Sequence, residues 1–340
     1  MLIINDFFAR KIEAISFQME AILQGLGGQI ITAKRFFSQK VLQKEDIKDK
    51  IFVYYQMQYK FKLMTKILFS KDKNVFVFEE EPSFFKRMII NLSKKNLYVS
   101  MYRKPYFKYM KHLKKYNNLK KIFVEMEEHR KILLDFGFLP QQVVVSPTPA
   151  KISRKKNSKK YNPEKINLLF ASWNNTDKID TSYVRGLLYI IDCLKKYKNL
   201  LLTIILRDNN TKIFNQYVKS SKVKNRVKLI NIKNNSQLEK AFDDSDFIIY
   251  MLKKQIVKDV PNSLIDGISR GKPILMTNVL SFSQDVIDNH IGLVFPPDQI
   301  ERNFAINKND YAILSSNAYK YSKKHTLENY INIIKRNCNE

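Results

Sequence analysis

The sequence predicts an α/β protein of two domains, each built on a parallel β-sheet. Short aliphatic runs alternate with longer helical patterns along the chain, which indicates repeated β-α-β units. Its 340 residues exceed what one hydrophobic core normally supports and fit two domains. The basic, polar stretch AKISRKKNSKKYNPEK is typical of a linker. We therefore predict an N-terminal domain over 1–150, a linker over 151–165 and a second domain over 166–322.

Strands are predicted where short β-branched or aliphatic runs are bounded by turn residues. In the first half these are Leu2–Asn5, Gln29–Thr32, Ile51–Tyr55, Val75–Phe78, Leu97–Met101, Ile122–Glu125 and Val143–Val145. In the second half they are Ile166–Ala171, Leu201–Leu206, Val227–Ile230, Phe247–Tyr250, Ile274–Thr277 and Leu293–Phe295. Helices are predicted over Arg10–Gln24, Pro82–Asn91, Glu127–Phe136 and Leu187–Lys196, and the tail from Tyr311 to Asn337 is helical in pattern.

The segment from Lys258 to Pro297 contains a loop, a helix, a strand, a second turn-helix and a last strand. The first helix is predicted to open at Pro261–Ser263 and to stop at Gly271, since proline presets a first helical turn and glycine closes a helix in a left-handed conformation. Its N-terminal amides and the positive end of its dipole therefore face the preceding loop. That arrangement favours an anion.

Lysine and arginine exceed aspartate and glutamate by 28 charges, and such a field attracts nucleic acid, anionic lipid or phosphorylated substrates. Abundant lysine, asparagine and isoleucine are equally expected from an A/T-rich coding sequence. No apolar run approaches the roughly 18 residues that span a bilayer. The N-terminus reads as a strand and not as a signal peptide. Cys193 and Cys338 are too few for a disulfide framework or metal cluster, so we expect a cytoplasmic protein.

The span 102–121, YRKPYFKYMKHLKKYNNLKK, interleaves cations with aromatic residues and methionine. Such a stretch can lie on an anionic membrane surface, can stack single-stranded nucleic acid, or can be a solvated helix with one buried aromatic face. The membrane surface and the solvated helix are favoured over nucleic acid, because no recognised nucleic-acid module accompanies the basic residues.

The order of residues in the 258–297 segment resembles the nucleotide-sugar-binding segment of family 4 glycosyltransferases, which commonly reads EGFPNSLLEAMACGKPV before a Gly-Leu strand that ends in Pro-Pro. The matching residues are Pro261, Asn262, Ser263, Leu264, Gly271, Lys272, Pro273, Gly292, Leu293, Pro296 and Pro297. The tail SSNAYKYSKKHTLENYINII is similar to the ending of family members. The resemblance implies the GT-B fold, with two Rossmann-like domains facing across a cleft and a C-terminal helix, 323–340, that packs back on the first domain.

By the resemblance, the second of two family glutamates, which contacts the ribose, corresponds to Asp266. The alternative is local, because Ser263 and Asp266 also have the spacing of a helix capping box. The first family glutamate, which contacts the sugar, is replaced by Lys258. Asp259 is adjacent and could substitute for it, and Lys258 itself could meet an anionic sugar or a phosphate. These two residues are the catalytic candidates.

Departure of the diphosphate requires positive charge, which cations and helix amides can supply without a metal. By resemblance Arg185 is the diphosphate clamp, Lys178 is a second cation in the same loop, and the amides of Ser263 and Leu264 assist. Pro261 and Asn262 complete the donor loop. Backbone groups near Ile232 are expected to contact the nucleobase.

The resemblance therefore implies a retaining, metal-independent glycosyltransferase that uses a nucleotide diphosphate sugar and no separate cofactor. Its acceptor is expected to be a saccharide or a lipid-linked saccharide, with an anionic membrane surface as a possible further partner through 102–121, at the inner face of the membrane. No nucleic-acid partner is expected. The alternative is a GT-B-shaped protein that binds a sugar nucleotide or a partner without catalysis, which the lysine at 258 favours.

Overall fold

The computed structural model divides into two compact units. It describes residues 2–5, 18, 21–23, 25–26, 29–32, 61, 63–78, 84–156, 158–171, 183–206, 212–232, 234–255, 257–297 and 306–338. The first unit comprises Met1–Pro147 and Leu327–Glu340, and the second comprises Thr148–Thr326. Among these residues, each unit has a parallel sheet of six strands, in the order β2-β1-β3-β4-β5-β6 and β12-β11-β10-β7-β8-β9. The predicted pair of Rossmann-like parallel-sheet domains is confirmed.

The strands are β1 (Leu2–Asn5), β2 (Gln29–Thr32), β3 (Asn74–Phe78), β4 (Asn96–Met101), β5 (Leu119–Val124), β6 (Val143–Val145), β7 (Ile166–Phe170), β8 (Leu200–Leu206), β9 (Val227–Asn231), β10 (Phe247–Tyr250), β11 (Ile274–Thr277) and β12 (Gly292–Phe295). The helices whose bounds fall within the described residues are α1 (Phe84–Ser93), α2 (Phe107–Leu113), α3 (Glu127–Asp135), α4 (Leu187–Lys196), α5 (Lys212–Ser220), α6 (Asn235–Asp244), α7 (Asn262–Ser269), α8 (Phe282–Asp288), α9 (Lys308–Tyr321) and α10 (Leu327–Cys338). The predicted strand Ile51–Tyr55 lies outside the described residues, as does most of the predicted helix Arg10–Gln24.

In the first unit, successive residues of β3 face two different cores, as strand geometry requires. Val75 and Val77 belong to a cluster with residues of α1, α2 and α3. Phe76 and Phe78 belong to a second cluster, which includes Tyr330 of α10. The last helix therefore packs on the sheet of the first unit. Its carboxyl end is fixed there by the Tyr98 hydroxyl, which donates to the Cys338 carbonyl at 3.2 Å.

The structure divides the helical tail in two. A 3-10 turn, Ser322–His325, separates α9 from α10, and the unit boundary falls at Leu327. Cys338, near the end of α10, is 3% exposed. Burial raises the pKa of its thiol to about 12.

In the second unit, the fold of the 258–297 segment follows the sequence signals. Helix α7 begins after Pro261 and ends before Gly271, which adopts φ 65°. The amide of Lys272 donates to Gly267 O at 3.0 Å and that of Gly271 to Ile268 O at 2.9 Å, the Schellman pattern that a left-handed glycine permits. The predicted glycine stop is confirmed.

The stretch predicted as a linker lies on the second unit. Ile152 and Tyr161 are buried, and Tyr161 stacks on Tyr311 of α9 with ring centroids 4.1 Å apart. The Lys155 amide donates to Ser269 O at 3.0 Å. Residues 151–155 therefore run beside α7.

Candidate functional site

The candidate site lies at the carboxyl edge of the second unit's sheet, where the direction of strand order reverses. Strand β7 lies between β8 and β10, so the connection after β7 and the connection after β10 leave the sheet on opposite sides. In open parallel sheets, ligands bind outside the carboxyl ends of the strands at such a point. The connection after β7 carries Arg185, and the connection after β10 carries Lys258 and leads to α7.

These two connections are joined by close contacts. The Lys253 amide donates to Val184 O at 2.9 Å. Gly186 adopts φ 74°, and a Cβ at this position would lie 1.7 Å from Met251 O. Only glycine combines that backbone conformation with so close an approach. The turn that holds Arg185 is therefore fixed against the end of β10.

Arg185 lies just before α4 and is 7% exposed. Its guanidinium retains its charge under all ordinary conditions, so the site carries a permanent buried cation. Lys178, the other predicted cation of this connection, lies outside the described residues.

The N-terminus of α7 presents two backbone amides for which the helix supplies no acceptor, those of Asn262 and Ser263. The amide of Leu264, which the resemblance included, donates to Pro261 O at 3.0 Å. The open amides are thus one position earlier than expected. Pro261 is the N-cap, with extended backbone and no side-chain cap bond. The Asn262 side chain adds a third polar group, because its Oδ1 and Nδ2 atoms are buried and have no hydrogen-bond partner within the described residues.

Asp266 is buried beneath this helix end. Its Oδ1 accepts the backbone amide of Lys151 at 2.7 Å and that of Ile152 at 3.3 Å. The structure shows no capping box, since the N-cap of α7 makes no side-chain hydrogen bond. The observed contacts of this carboxylate are with the 151–155 segment, and they position that segment along α7.

The two catalytic candidates have different surroundings. Lys258 is half-buried, and its Nζ donates to Thr148 Oγ1 at 3.4 Å. Asp259 is 1% exposed, and its Oδ1 accepts Gln255 Nε2 at 3.0 Å and the Ser281 amide at 3.2 Å. Asp259 therefore ties its own loop to the start of α8, whereas the Lys258 ammonium lies closer to solvent.

Ile232 follows β9 at the same carboxyl edge and is half-buried. Strand β8 separates β9 from β7, and strands are spaced about 4.8 Å apart. The end of β9 therefore lies about 10 Å across the sheet from the end of β7. This distance suits a nucleoside whose phosphates lie at the switch point.

Sequence reasoning missed Lys253, three residues after β10. Its Nζ lies 5.2 Å from the Tyr183 ring centroid and 4.6 Å from that of Tyr189. The two rings hold this cation next to the Arg185 turn by cation-π contact. The sequence signal for this residue is a lysine shortly after a buried strand. Its contacts could not be predicted, because the two tyrosines follow β7 and not β10.

The basic-aromatic span 102–121 contains the short helix α2, which has one buried face, and ends in β5. Tyr109, Met110 and Leu113 are buried. Tyr106 and Phe107 are 44% and 66% exposed, and the lysines near them in sequence are also exposed. The span therefore combines a buried aromatic face with an aromatic pair at the surface. In the part of the chain that the structure describes, no helix has both the length and the apolar character to cross a membrane.

No protein-family model and no curated protein matches the chain. Solved structures do match it. The Anabaena protein Alr3699/HepE in complex with UDP superimposes with a TM-score of 0.69, at 12% identity over 99% of each chain. The E. coli trehalose-6-phosphate protein bound with UDP-2-fluoro glucose superimposes with a TM-score of 0.67, at 9% identity over 98% of each chain. The lipopolysaccharide outer core galactosyltransferase WaaB superimposes with a TM-score of 0.65, at 11% identity over 98% of each chain. These similarities show that the chain has the GT-B glycosyltransferase fold.

Proposed function

We propose that the protein transfers a sugar from a nucleoside diphosphate sugar to a saccharide or lipid-linked acceptor. The observation that carries the proposal is the group of anion-binding elements at the switch point of the second unit. These are the buried Arg185 and the N-terminus of α7, with the Asn262 side chain beside its open amides. A helix N-terminus and a buried guanidinium together suit a diphosphate.

In the proposed reaction, Arg185 and the amides of Asn262 and Ser263 bind the diphosphate and neutralise the charge that develops as it departs. Fixed charges and dipoles of this kind stabilise the leaving group most when they are already in place. Lys253, held between two tyrosine rings, contributes a further positive charge, and Lys178 is proposed to do the same. Backbone groups near Ile232 contact the base.

Lys258 borders the sugar in this proposal, in place of a carboxylate. Its ammonium contacts Thr148 Oγ1 and suits a donor or acceptor with a negative group. The contacts of Asp266 support a positioning role for its carboxylate, which holds the 151–155 segment. Contact of this carboxylate with the ribose, which the resemblance implies, stays a prediction.

We further propose that transfer retains the anomeric configuration and needs no metal ion, because cations and amides supply the positive charge. Donor-dependent transfer should then persist after dialysis against a chelator, and proton NMR should show a product anomer identical to that of the donor. Loss of transfer on chelation, restored by Mg²⁺ or Mn²⁺, would overturn metal independence. An inverted anomer would overturn retention.

The first experiment is a thermal-shift screen of UDP and GDP sugars, because a ligand that binds the native state raises its apparent stability. UDP sugars come first, because HepE has been solved with UDP-glucose. A shift with one donor, followed by release of its nucleoside diphosphate in the presence of saccharide acceptors, supports the proposal. Absence of a shift with every donor contradicts it.

A second candidate function is a GT-B-shaped protein that binds a sugar nucleotide or a partner without transfer. The observation that favours it is Lys258, which stands where the resembling family has a glutamate. Tight donor binding without hydrolysis or transfer would favour this candidate. Turnover that depends on Lys258 would eliminate it.

For the acceptor side, we propose that the exposed pair Tyr106 and Phe107, with the lysines around it, contacts an anionic membrane surface at its cytoplasmic face. Aromatic rings at headgroup depth and amines beside anionic lipids suit this arrangement. Sedimentation with vesicles of phosphatidylglycerol should fall after replacement of both aromatic residues by serine. Equal sedimentation of this variant and the unchanged protein would contradict the proposal.

A further inference from the structure

A second basic region of the second unit surrounds two cavities that share no described lining residue with the candidate site. The first cavity runs along β8 and β9, from Leu201 to Ile230, and the second lies by the amino end of β10. The first, of about 570 Å³, is lined by residues such as Asn167 of β7 and Lys228 of β9. The second, of about 590 Å³, is lined by Lys308 and Tyr311 of α9, and Tyr311 packs on Phe247 at the start of β10.

Five lysines line the first cavity: Lys155, Lys156, Lys159, Lys165 and Lys228. Two of them pair with carboxylates. Lys155 Nζ lies 3.0 Å from Asp243 Oδ2, and Lys159 Nζ lies 2.7 Å from Asp246 Oδ1. The other three are exposed and form no ion pair among the described residues. Positive charge therefore exceeds negative charge in this cavity.

Five lysines also line the second cavity: Lys156, Lys159, Lys160, Lys308 and Lys320. No carboxylate is among its described lining residues. Among its hydroxyl-bearing residues, Tyr161, Tyr311 and Ser315 donate to carbonyl groups of the protein, and Ser316 and Tyr319 complete the wall. Lys159 pairs with Asp246 outside the lining, so the other four lysines give the cavity its excess of positive charge.

The two cavities form one continuous surface, because Lys156 and Lys159 line both. Lys155 and Lys159 each make a hydrogen bond to another part of the second unit. The Lys155 amide donates to Ser269 O, and Lys159 Nζ donates to Asp244 O at 2.8 Å. We call the lysines that line the two cavities the lysine surface. Lys155 and Lys159 are held by these contacts, and the other lysines of the surface are exposed.

We propose that the lysine surface binds a linear anionic saccharide, with the ammonium groups on its phosphate, sulfate or carboxylate groups and the Ser316 and Tyr319 hydroxyls on its sugar hydroxyls. Charge complementarity and concavity both point to an extended polyanion. The site is separate from the proposed donor site, and the proposal stands whether or not the protein transfers a sugar.

Two other polyanions fit this surface less well. Single-stranded nucleic acid normally stacks its bases on open aromatic rings. Here Tyr161 and Tyr311 stack on each other and are buried, and the Arg154 guanidinium lies 4.4 Å over the Tyr319 ring. A membrane surface is normally met by exposed large apolar side chains among the cations. The large aliphatic residues of the lining, Leu201 and Ile230, are half-buried strand residues of the first cavity, and the described lining of the second cavity has none.

The test is isothermal titration calorimetry of the full chain with three probes of ten units each: oligogalacturonate, neutral maltodecaose and single-stranded decauridylate. The altered protein carries K156Q, K228Q and K308Q. Its matched control carries K198Q, K219Q and K335Q, which remove the same net charge at exposed lysines outside both cavities. Far-UV circular dichroism and the Tm establish that both proteins are folded.

We expect the unchanged protein to bind oligogalacturonate more tightly than decauridylate and to show no binding of maltodecaose. Loss of three ammonium contacts should weaken oligogalacturonate binding about tenfold, while the control changes it less than twofold. Equal weakening in both variants would mean that net charge alone attracts the probe, and would overturn the site. Tighter binding of decauridylate would overturn the assignment to a saccharide. UDP binding, measured in parallel, reports on the donor site alone.

Discussion

The backbone amide of Lys151 donates to Oδ1 of Asp266 at 2.7 Å across a separation of 115 residues. This hydrogen bond joins the segment that enters the second unit to the helix whose N-terminus forms the candidate site. A buried carboxylate forms strong hydrogen bonds with backbone amides, so Asp266 fixes the helix and the segment to each other. The position of the α7 N-terminus therefore depends on this contact.

Replacement of Asp266 by alanine should destabilise the second unit by about 2 to 3 kcal/mol, because two backbone amides lose their acceptor. For a unit of this size, that corresponds to a fall in Tm of about 5 to 10 °C. Asp266→Asn is the matched control, since its Oδ1 can still accept both amides. If Asn lowers UDP affinity without lowering the Tm, the carboxylate contacts the ligand directly and its role is not confined to positioning.

Arg185→Ala should weaken UDP binding about 10- to 100-fold, because a charge-assisted hydrogen bond to a diphosphate contributes about 1.5 to 3 kcal/mol. Arg185→Lys keeps the charge but loses the planar fork. Its UDP affinity should lie between those of the unchanged protein and the alanine variant. Calorimetric titration with UDP measures both variants. Unchanged UDP affinity in the alanine variant would remove Arg185 from the site.

Gly186→Ala should disrupt the turn that holds Arg185, because its Cβ would overlap Met251 O and because φ 74° is strained for alanine. We expect a lower Tm together with weaker UDP binding. Exposed Gly137, also at positive φ, is the control, since a Cβ there would meet only the end of the Lys114 side chain. Gly137→Ala should lower the Tm without altering UDP affinity. An equal loss of affinity in both variants would show that the effect is not specific to the site.

Acid should destabilise the second unit through His325. Its Nδ1 donates to Thr148 O at 2.7 Å, and burial lowers the pKa of the imidazole to about 3 from its usual 6.5. The unfolded chain takes up a proton as the pH falls below 6.5, whereas the folded protein does so only near pH 3. The stability that depends on neutral His325 is therefore complete above pH 6.5. Below that pH the free energy of unfolding declines, by about 2 kcal/mol at pH 5.

His325→Asn retains a donor near the position of Nδ1 and removes the titration. Urea unfolding followed between pH 7 and pH 4.5 should show a shallower decline for this variant than for the unchanged protein. Parallel declines in the two proteins would assign the acid sensitivity to other groups.

Much of the fold could be predicted because the signals are local. Helix α7 begins after Pro261 and ends before Gly271, where proline and glycine each have a direct backbone effect. Helix α4 has its predicted bounds because Gly186 precedes it and an apolar stripe covers one side. The strands of the second unit are short aliphatic runs between turn residues, so their positions differ from prediction by at most one residue at either end.

The contacts of the site could not be predicted because they join distant parts of the chain. Ser263 and Asp266 have the spacing of a capping box, yet the carboxylate meets the amides of Lys151 and Ile152. Lys253 is held by tyrosines from another connection. The tail periodicity likewise continues through Ser322–His325, where the chain passes from one unit to the other.

The central claim is that the N-terminus of α7 binds the diphosphate of a nucleotide sugar. The most direct measurement is a ¹⁵N NMR titration of serine-labelled protein with UDP, in which the Ser263 amide is assigned by its loss in Ser263→Ala. The account predicts a large, saturable downfield shift of the Ser263 amide, with an affinity that matches calorimetry. Saturable UDP binding that shifts other serine amides and leaves that of Ser263 in place would contradict it.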